Sequence, residues 1–180
     1  ISKSSGKPVY GFRAPSLSIC PEDNWAYEEL SKRFLYDSSF VSETRDQPNN
    51  TTDIKIFGDK KLIEFPVFSC SVLPGFNARV IGGTYLKVLP LNTIIKLMYK
   101  AIEAGFLPLI YLHPYEFLSD GEFWVKSSDL KEVSVIRNIY WQIRQNQWLT
   151  IGNSNLLYKL SEILKIFPNQ GTMLSHLNEN

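Results

Sequence analysis

Residues 90–114, PLNTIIKLMYKAIEAGFLPLIYLHP, decide the fold class. Ile94, Leu97, Met98, Ala101 and Ile102 recur at the three- and four-residue spacing of one helix face. Pro90 stands where a first helical turn tolerates a residue without an N–H, and Gly105 stands where a helix stops. The run that follows, FLPLIYLHP, is apolar on both alternating faces, which predicts a parallel strand covered on both sides. Helix, glycine, buried strand and then polar residues form the repeating unit of α/β barrels and doubly wound sheets.

Upstream, residues 8–13 predict a short strand, and PEDNWAYEELSKRF predicts a helix with acids in its first turn and bases in its last. Trp25, Leu30 and Phe34 are expected on its buried side. Residues 38–52 turn polar, and DQPNNTT within them reads as a loop. DIKIF and KLIEFPVF flank GDK as the arms of a hairpin, with Pro66 limiting how far the second arm can pair. Downstream, helices are expected around 132–148 and 154–166, followed by a short tail.

A chain of 180 residues buries a substantial core without covalent staples. Nineteen Lys and Arg against eighteen Asp and Glu leave no global field toward nucleic acid or an acidic membrane surface. Cys20 and Cys70 lack CxxC spacing, and a disulfide between them stays open. No apolar run approaches the ~20 residues of a membrane span, and the start ISKSSGKPVYGF lacks the order of a signal peptide. The chain reads as soluble, and its start at Ile1 fits a fragment or a processed product.

In α/β folds functional groups stand at the carboxyl ends of strands. His113 ends LIYLH, and Pro114 restricts its backbone to an extended conformation. Its imidazole is placed either for general acid–base work near neutral pH or for a structural hydrogen bond at a strand end. Arg13 in VYGFRAPSLSI has the same address on another strand, with Pro15 close behind. A guanidinium there either orients a carboxylate or pairs at the surface with Glu22 or Asp23. Asp37 in FLYDSS either orients His113 or caps its own turn. IGGTYLK pairs a flexible diglycine with Tyr85, which either lines a sugar site or packs. Tyr115, Phe117 and Trp124 follow His113 closely and suit a carbohydrate ring or the core equally well. His113 and His176 are the only histidines, with no HxxxH, so a complete zinc site within the chain is not expected.

YGFRAPSLSI, FLYDSSF and LIYLHPYEF together resemble the polysaccharide deacetylases of the NodB homology family, carbohydrate esterase family 4. LIEFPVF, IGGTYLKVLP and GTML fit the branch found with bacterial exopolysaccharide loci. The resemblance implies the carboxyl-terminal portion of a deformed (β/α) barrel with a β-hairpin insertion, as one partial domain over residues 1–180. It implies removal of N-acetyl groups from a polysaccharide or oligosaccharide with a divalent metal, usually zinc. By the same resemblance His113 is the general acid, Arg13 orients the catalytic-base aspartate, and Asp37 falls near the acid that tethers the histidine. Pro15 shapes the substrate groove, the Ser16 N–H is an oxyanion donor, Leu112 lines the acetyl pocket, and Tyr85 belongs to the substrate site.

The Asp-Asp pair and the histidine pair that supply base and metal ligands in that family have no counterpart in this sequence. They precede FRAP in family order, so the metal's ligands are expected outside this chain. The partners implied are an N-acetylated glycan and the amino-terminal half of the domain, in cis or as a second chain. A noncatalytic carbohydrate-binding or assembly protein derived from the same fold is the competing reading.

Overall fold

A computed structural model of the chain describes residues 4, 6–43, 53–73, 76–79, 82–118, 124–169 and 171–177. The protein is mixed α/β and divides into two compact units. One comprises Ile1–Arg79, Met98–Leu109 and Gln170–Asn180; the other comprises Val80–Leu97 and Ile110–Asn169.

The first unit carries β1 (Gly11–Phe12), α1 (Asn24–Ser31), β2 (Tyr36–Asp37), β3 (Val41–Glu43), β4 (Asp53–Phe57), β5 (Lys60–Glu64), β6 (Val67–Leu73) and β7 (Phe76–Arg79). A four-stranded sheet runs β1-β2-β5-β4, parallel across the first three strands and antiparallel between β5 and β4. A second sheet runs β3-β6-β7, with β3 parallel to β6. The expected hairpin forms: Phe57 pairs with Lys60 across a two-residue turn, and Gly58 takes φ +60. The break between β5 and β6 falls at Phe65–Pro66, where proline has no N–H to offer the ladder. Here the buried Glu64 intervenes, its Oε1 accepting the Phe40 N–H at 3.1 Å, and pairing resumes as the Val67 N–H donates to the Phe40 carbonyl at 2.8 Å. Within the polar stretch Val41–Glu43 form a strand, and the loop expected at DQPNNTT, residues 46–52, lies outside the described residues.

Helix α1 buries Ala26, Tyr27 and Ser31 and half-buries Leu30, and Phe34, three residues past its end, is half-buried too. Trp25, expected on that side, is 73% exposed, because ~100° per residue places it nearly opposite the centre of the 26–27–30–31–34 face. The core of this unit holds Leu62, Phe65, Val67, Phe68, Cys70 and Phe106. The rings of Phe68 and Phe106 lie 5.0 Å apart, and each such side chain contributes about 2–3 kcal/mol by leaving water. Cys20 is exposed, Cys70 is buried and both are free thiols, so the disulfide left open by the sequence does not form.

Helix α2 (Gly83–Val88) precedes α3 (Leu91–Glu103), the strongest helix expected from the sequence. Ile94, Leu97, Met98 and Ala101 are buried as expected, whereas Ile102, one step around the helix from Ala101, is 45% exposed. Gly105 takes φ +80, its N–H donates to the Ile102 carbonyl, and the Phe106 N–H reaches back to Ala101, each at 2.9 Å. This double closure stops the helix and turns Phe106 into the core.

The covered parallel strand expected at FLPLIYLHP does not form. The stretch is extended, and its pairing among the described residues is a single parallel bridge from Tyr111 to Gly82. Phe106 alone of the run is buried; residues 107–112 are half-buried and His113 is exposed. Pro108 supplies no donor, and the Leu109 N–H turns back to the Leu107 carbonyl at 2.9 Å, so two ladder positions in succession are lost.

The second unit contains α4 (Val135–Leu149) and α5 (Leu156–Ile166), close to the expected helices, with short 3-10 turns at Pro114–Phe117, Ser127–Leu130 and Asn153–Asn155. Helix α4 turns polar side chains inward. The Asn138 amide donates to the carbonyls of Ser127 and Leu130, and Asn146 exchanges two bonds with the Val125 backbone. Ile136 is 83% exposed, and Ile139, Tyr140 and Ile143 are also exposed. His176, expected in a tail, lies in the short helix α6 (Met173–Leu177). No helix among the described residues is long and apolar enough to cross a membrane.

Candidate functional site

The sequence-predicted site residues fall into two clusters, one in each unit. In the first, Gly11–Phe12 run parallel to Tyr36–Asp37 in register, which sets Arg13 and Ser38 beside one another at the carboxyl ends of adjacent strands. A Cβ on Gly11 would overlap the Tyr36 ring, which lies against the bare backbone there. Arg13 Nε donates to the Ser38 carbonyl at 2.9 Å, and its Nη2 donates to Ser38 Oγ at 2.8 Å. Ser38 Oγ in turn donates to the Phe65 carbonyl at 2.7 Å. A parallel relay runs from the Ala14 N–H to Ser39 Oγ at 2.7 Å, and from the Ser39 hydroxyl to Asp37 Oδ1 at 2.7 Å.

Asp37 is fully buried, and its Oδ2 also accepts the Ser39 N–H at 3.1 Å. Of its two sequence readings this is the turn cap: a carboxylate bound to the backbone two residues on. Asp23, one of the two acids weighed as a surface partner for Arg13, accepts the Cys20 N–H at 2.8 Å. Beyond Arg13, exposed Pro15 opens a tight turn in which Ser16 and Leu17 take φ +60 and +55. Two consecutive side-chain-bearing residues in the left-handed region cost about 1–2 kcal/mol each. The Leu17 N–H holds the turn by donating to the Ala14 carbonyl at 3.1 Å.

The second cluster surrounds His113. Its imidazole is exposed, stacks on Tyr115 with ring centroids 5.2 Å apart, and meets Tyr111 edge-on at 6.4 Å. Its backbone is clamped at both polar groups: the N–H donates to Glu116 Oε2 at 2.7 Å, and the carbonyl accepts the Glu116 N–H at 3.0 Å. Pro114 takes the first position of the 3-10 turn that Glu116 closes. Glu116 is buried, and its Oε1 lies 3.9 Å from Nζ of the buried Lys87, which donates to the Trp148 carbonyl at 2.6 Å. The Asn153 amide nitrogen lies within 3.0 Å of the carbonyls of Tyr115, Leu118 and Leu149, tying the same turn from outside.

Burial holds the Lys87 ammonium below the ordinary lysine range, and the Glu116 carboxylate partly offsets that. Burial also lowers Lys159, whose Nζ donates to the carbonyls of Leu86, Lys87 and Leu89 and so caps the end of α2. The Tyr115 phenol is pushed up by burial first and by the negative charge of Glu116 second. The diglycine expected to be flexible is instead packed: a Cβ on Gly83 would lie 1.8 Å from Glu116 Oε1, and one on Gly82 would lie 2.3 Å from the Tyr111 hydroxyl. Tyr85 is half-buried in the first turn of α2, and Leu112 is half-buried beside His113. Phe117 and Trp124 are exposed aromatics.

Glu116, Lys87 and Tyr111 were not legible as site residues from motif reading. Tyr111 had a signal in YLHPY, since residues two apart on an extended chain share a side. Glu116 had one in its spacing, three residues past a helix-entry position. Among the described residues, no group of three or more His, Cys, Asp or Glu is placed to hold a metal ion.

The family described as "Domain of unknown function (DUF3473)" matches residues 39–147, well over half of the chain. No curated protein and no solved structure matches. The match takes in Tyr85, Lys87, Leu112, His113 and Glu116 and begins just past Asp37. The chain belongs to the DUF3473 family.

Proposed function

We propose that, as a member of that family, the chain forms the carboxyl-terminal part of a metal-dependent polysaccharide or oligosaccharide N-deacetylase with a NodB-like deformed (β/α) barrel. The observation that carries this reading is the presentation of His113: an exposed imidazole on a backbone held at both its N–H and its carbonyl. A side chain so held meets the need of general acid catalysis for a proton donor at one fixed place. The family's association with the carboxyl-terminal regions of polysaccharide deacetylases supports the same reading.

In this proposal His113 protonates the departing amine, which lets the C–N bond of the acetamide break without expelling an amide anion. Arg13, braced on Ser38, orients the catalytic-base carboxylate supplied from outside these residues. The Ser16 N–H, in the turn that follows Pro15, donates to the oxygen that gains charge, while Pro15, Leu112 and Tyr85 contact the sugar and its acetyl group. Asp37 serves by holding the serine turn on which Arg13 and Ala14 rest. The divalent metal would be held by ligands supplied from outside these residues.

The test is acetate release from an N-acetylated glycan, with zinc, by a longer protein that carries the upstream sequence. His113→Ala is expected to lower kcat by at least about 100-fold, the lower end for removing a general acid. Full activity in that variant would overturn the reading.

A further inference from the structure

Resting on the reading of His113 as proton donor, we propose that Glu116 is the positioning residue for its imidazole and that Lys87 is the anchor of Glu116. A histidine ring turns about two side-chain torsions, so where it can reach is set by the backbone that carries it, and its direction by the torsions that stacking on Tyr115 permits. Pro114 restricts that backbone from the carboxyl side. Glu116 fixes it from the other, taking the His113 N–H at 2.7 Å while returning its own N–H to the His113 carbonyl at 3.0 Å.

A purely structural role for Glu116 would be to tie the turn to the body of the unit. Asn153 already does that through the carbonyls of Tyr115 and Leu118. What Glu116 adds is the bond to His113. The chain maintains it against a desolvation cost of several kcal/mol for burying a carboxylate, and it surrounds that carboxylate accordingly. Lys87, itself buried, faces Oε1 at 3.9 Å and is fixed by the Trp148 carbonyl. Gly83 leaves open the space that Glu116 fills, since any side chain there would overlap the carboxylate. Lysine, glutamate, glycine and histidine thus form one unit whose exposed end is the imidazole.

The 180-residue chain itself serves for the test, by NMR of the His113 amide and imidazole, with His176 as an internal control. Glu116→Ala is expected to speed exchange of the His113 amide at least about tenfold and to shift and average its ring signals, leaving those of His176 in place. Glu116→Gln, which keeps an oxygen acceptor, is expected to restore both, and Lys87→Met to fall between. Should Glu116→Ala fail to fold, Glu116→Met fills the space without an acceptor and is read on the same signals. Wild-type amide exchange and ring signals in the acceptor-free variant would overturn the proposal; wild-type behaviour in Lys87→Met would overturn the anchor role.

In the longer enzyme, loss of the clamp is expected to lower kcat on the order of 100-fold with KM within about twofold, with recovery in Glu116→Gln. An enzyme that releases no acetate at all would sink the deacetylase reading. The NMR result would still decide whether Glu116 positions His113.

Discussion

Arg13 in the first unit donates to the carbonyl and hydroxyl of Ser38, whereas the His113 N–H in the second donates to a buried carboxylate, Glu116, that is itself paired with Lys87. In the serine region the buried bonds are spread over Ser38, Ser39 and the Asp37 carboxylate, so one substitution removes only some of them. In the second unit, removing Lys87 or Glu116 leaves the other ionised and buried without its partner. Both present a functional group at the end of an extended segment with a proline close behind, but the first is held through several bonds to serine and the second through one buried carboxylate.

The sharpest way to break this contrast is Lys87→Met. It is expected to cost about 3 kcal/mol of stability in urea unfolding, because Glu116 is left unpaired. A loss under about 1 kcal/mol would show that the pair is not load sharing in the way described. The same variant gives a pH signature. Lys87 is lowered from 10.5, so between its folded value and 10.5 the unfolded chain binds more protons, and its contribution to stability rises with pH. The wild-type minus Lys87→Met stability difference is therefore expected to grow as pH climbs toward 10.5. A difference that shrinks with pH would contradict the cause assigned to the shift.

In the serine region the expected effect is smaller. Asp37→Ala removes the acceptor for the Ser39 N–H and hydroxyl and is expected to cost about 1–3 kcal/mol in the same measurement. A loss well above that of Lys87→Met would reverse the ranking of the two regions. Smaller again, Ser16→Gly is expected to raise stability by up to about 1 kcal/mol, because φ +60 suits glycine; a destabilised variant would mean the turn is not strained.

What the sequence revealed follows the same division between local and distant causes. The hairpin, α3 and the Gly105 stop were legible because alternation, helical spacing and a left-handed glycine act within a few residues. FLPLIYLHP misled because its apolar pattern carries no trace of the Leu109 N–H turning onto Leu107. Helix α4 was found, but not its inward asparagines, since Asn138 and Asn146 are buried by bonds to residues 125–130 rather than by their own spacing. Arg13 and His113 could be singled out as candidates from a charged or titratable group with a proline one or two residues on. Lys87 could not, for it stands 29 positions from the carboxylate it meets.

The central proposal is N-deacetylation with roles for Arg13 and for His113, and the most direct measurement is acetate release by the longer, upstream-extended protein in three forms: wild type, Arg13→Ala and His113→Ala. The account predicts zinc-dependent release by the wild type and a loss on the order of 100-fold or more in each variant, with His113→Ala unfolding at the wild-type urea midpoint. Acetate release at the wild-type rate from either variant would contradict it.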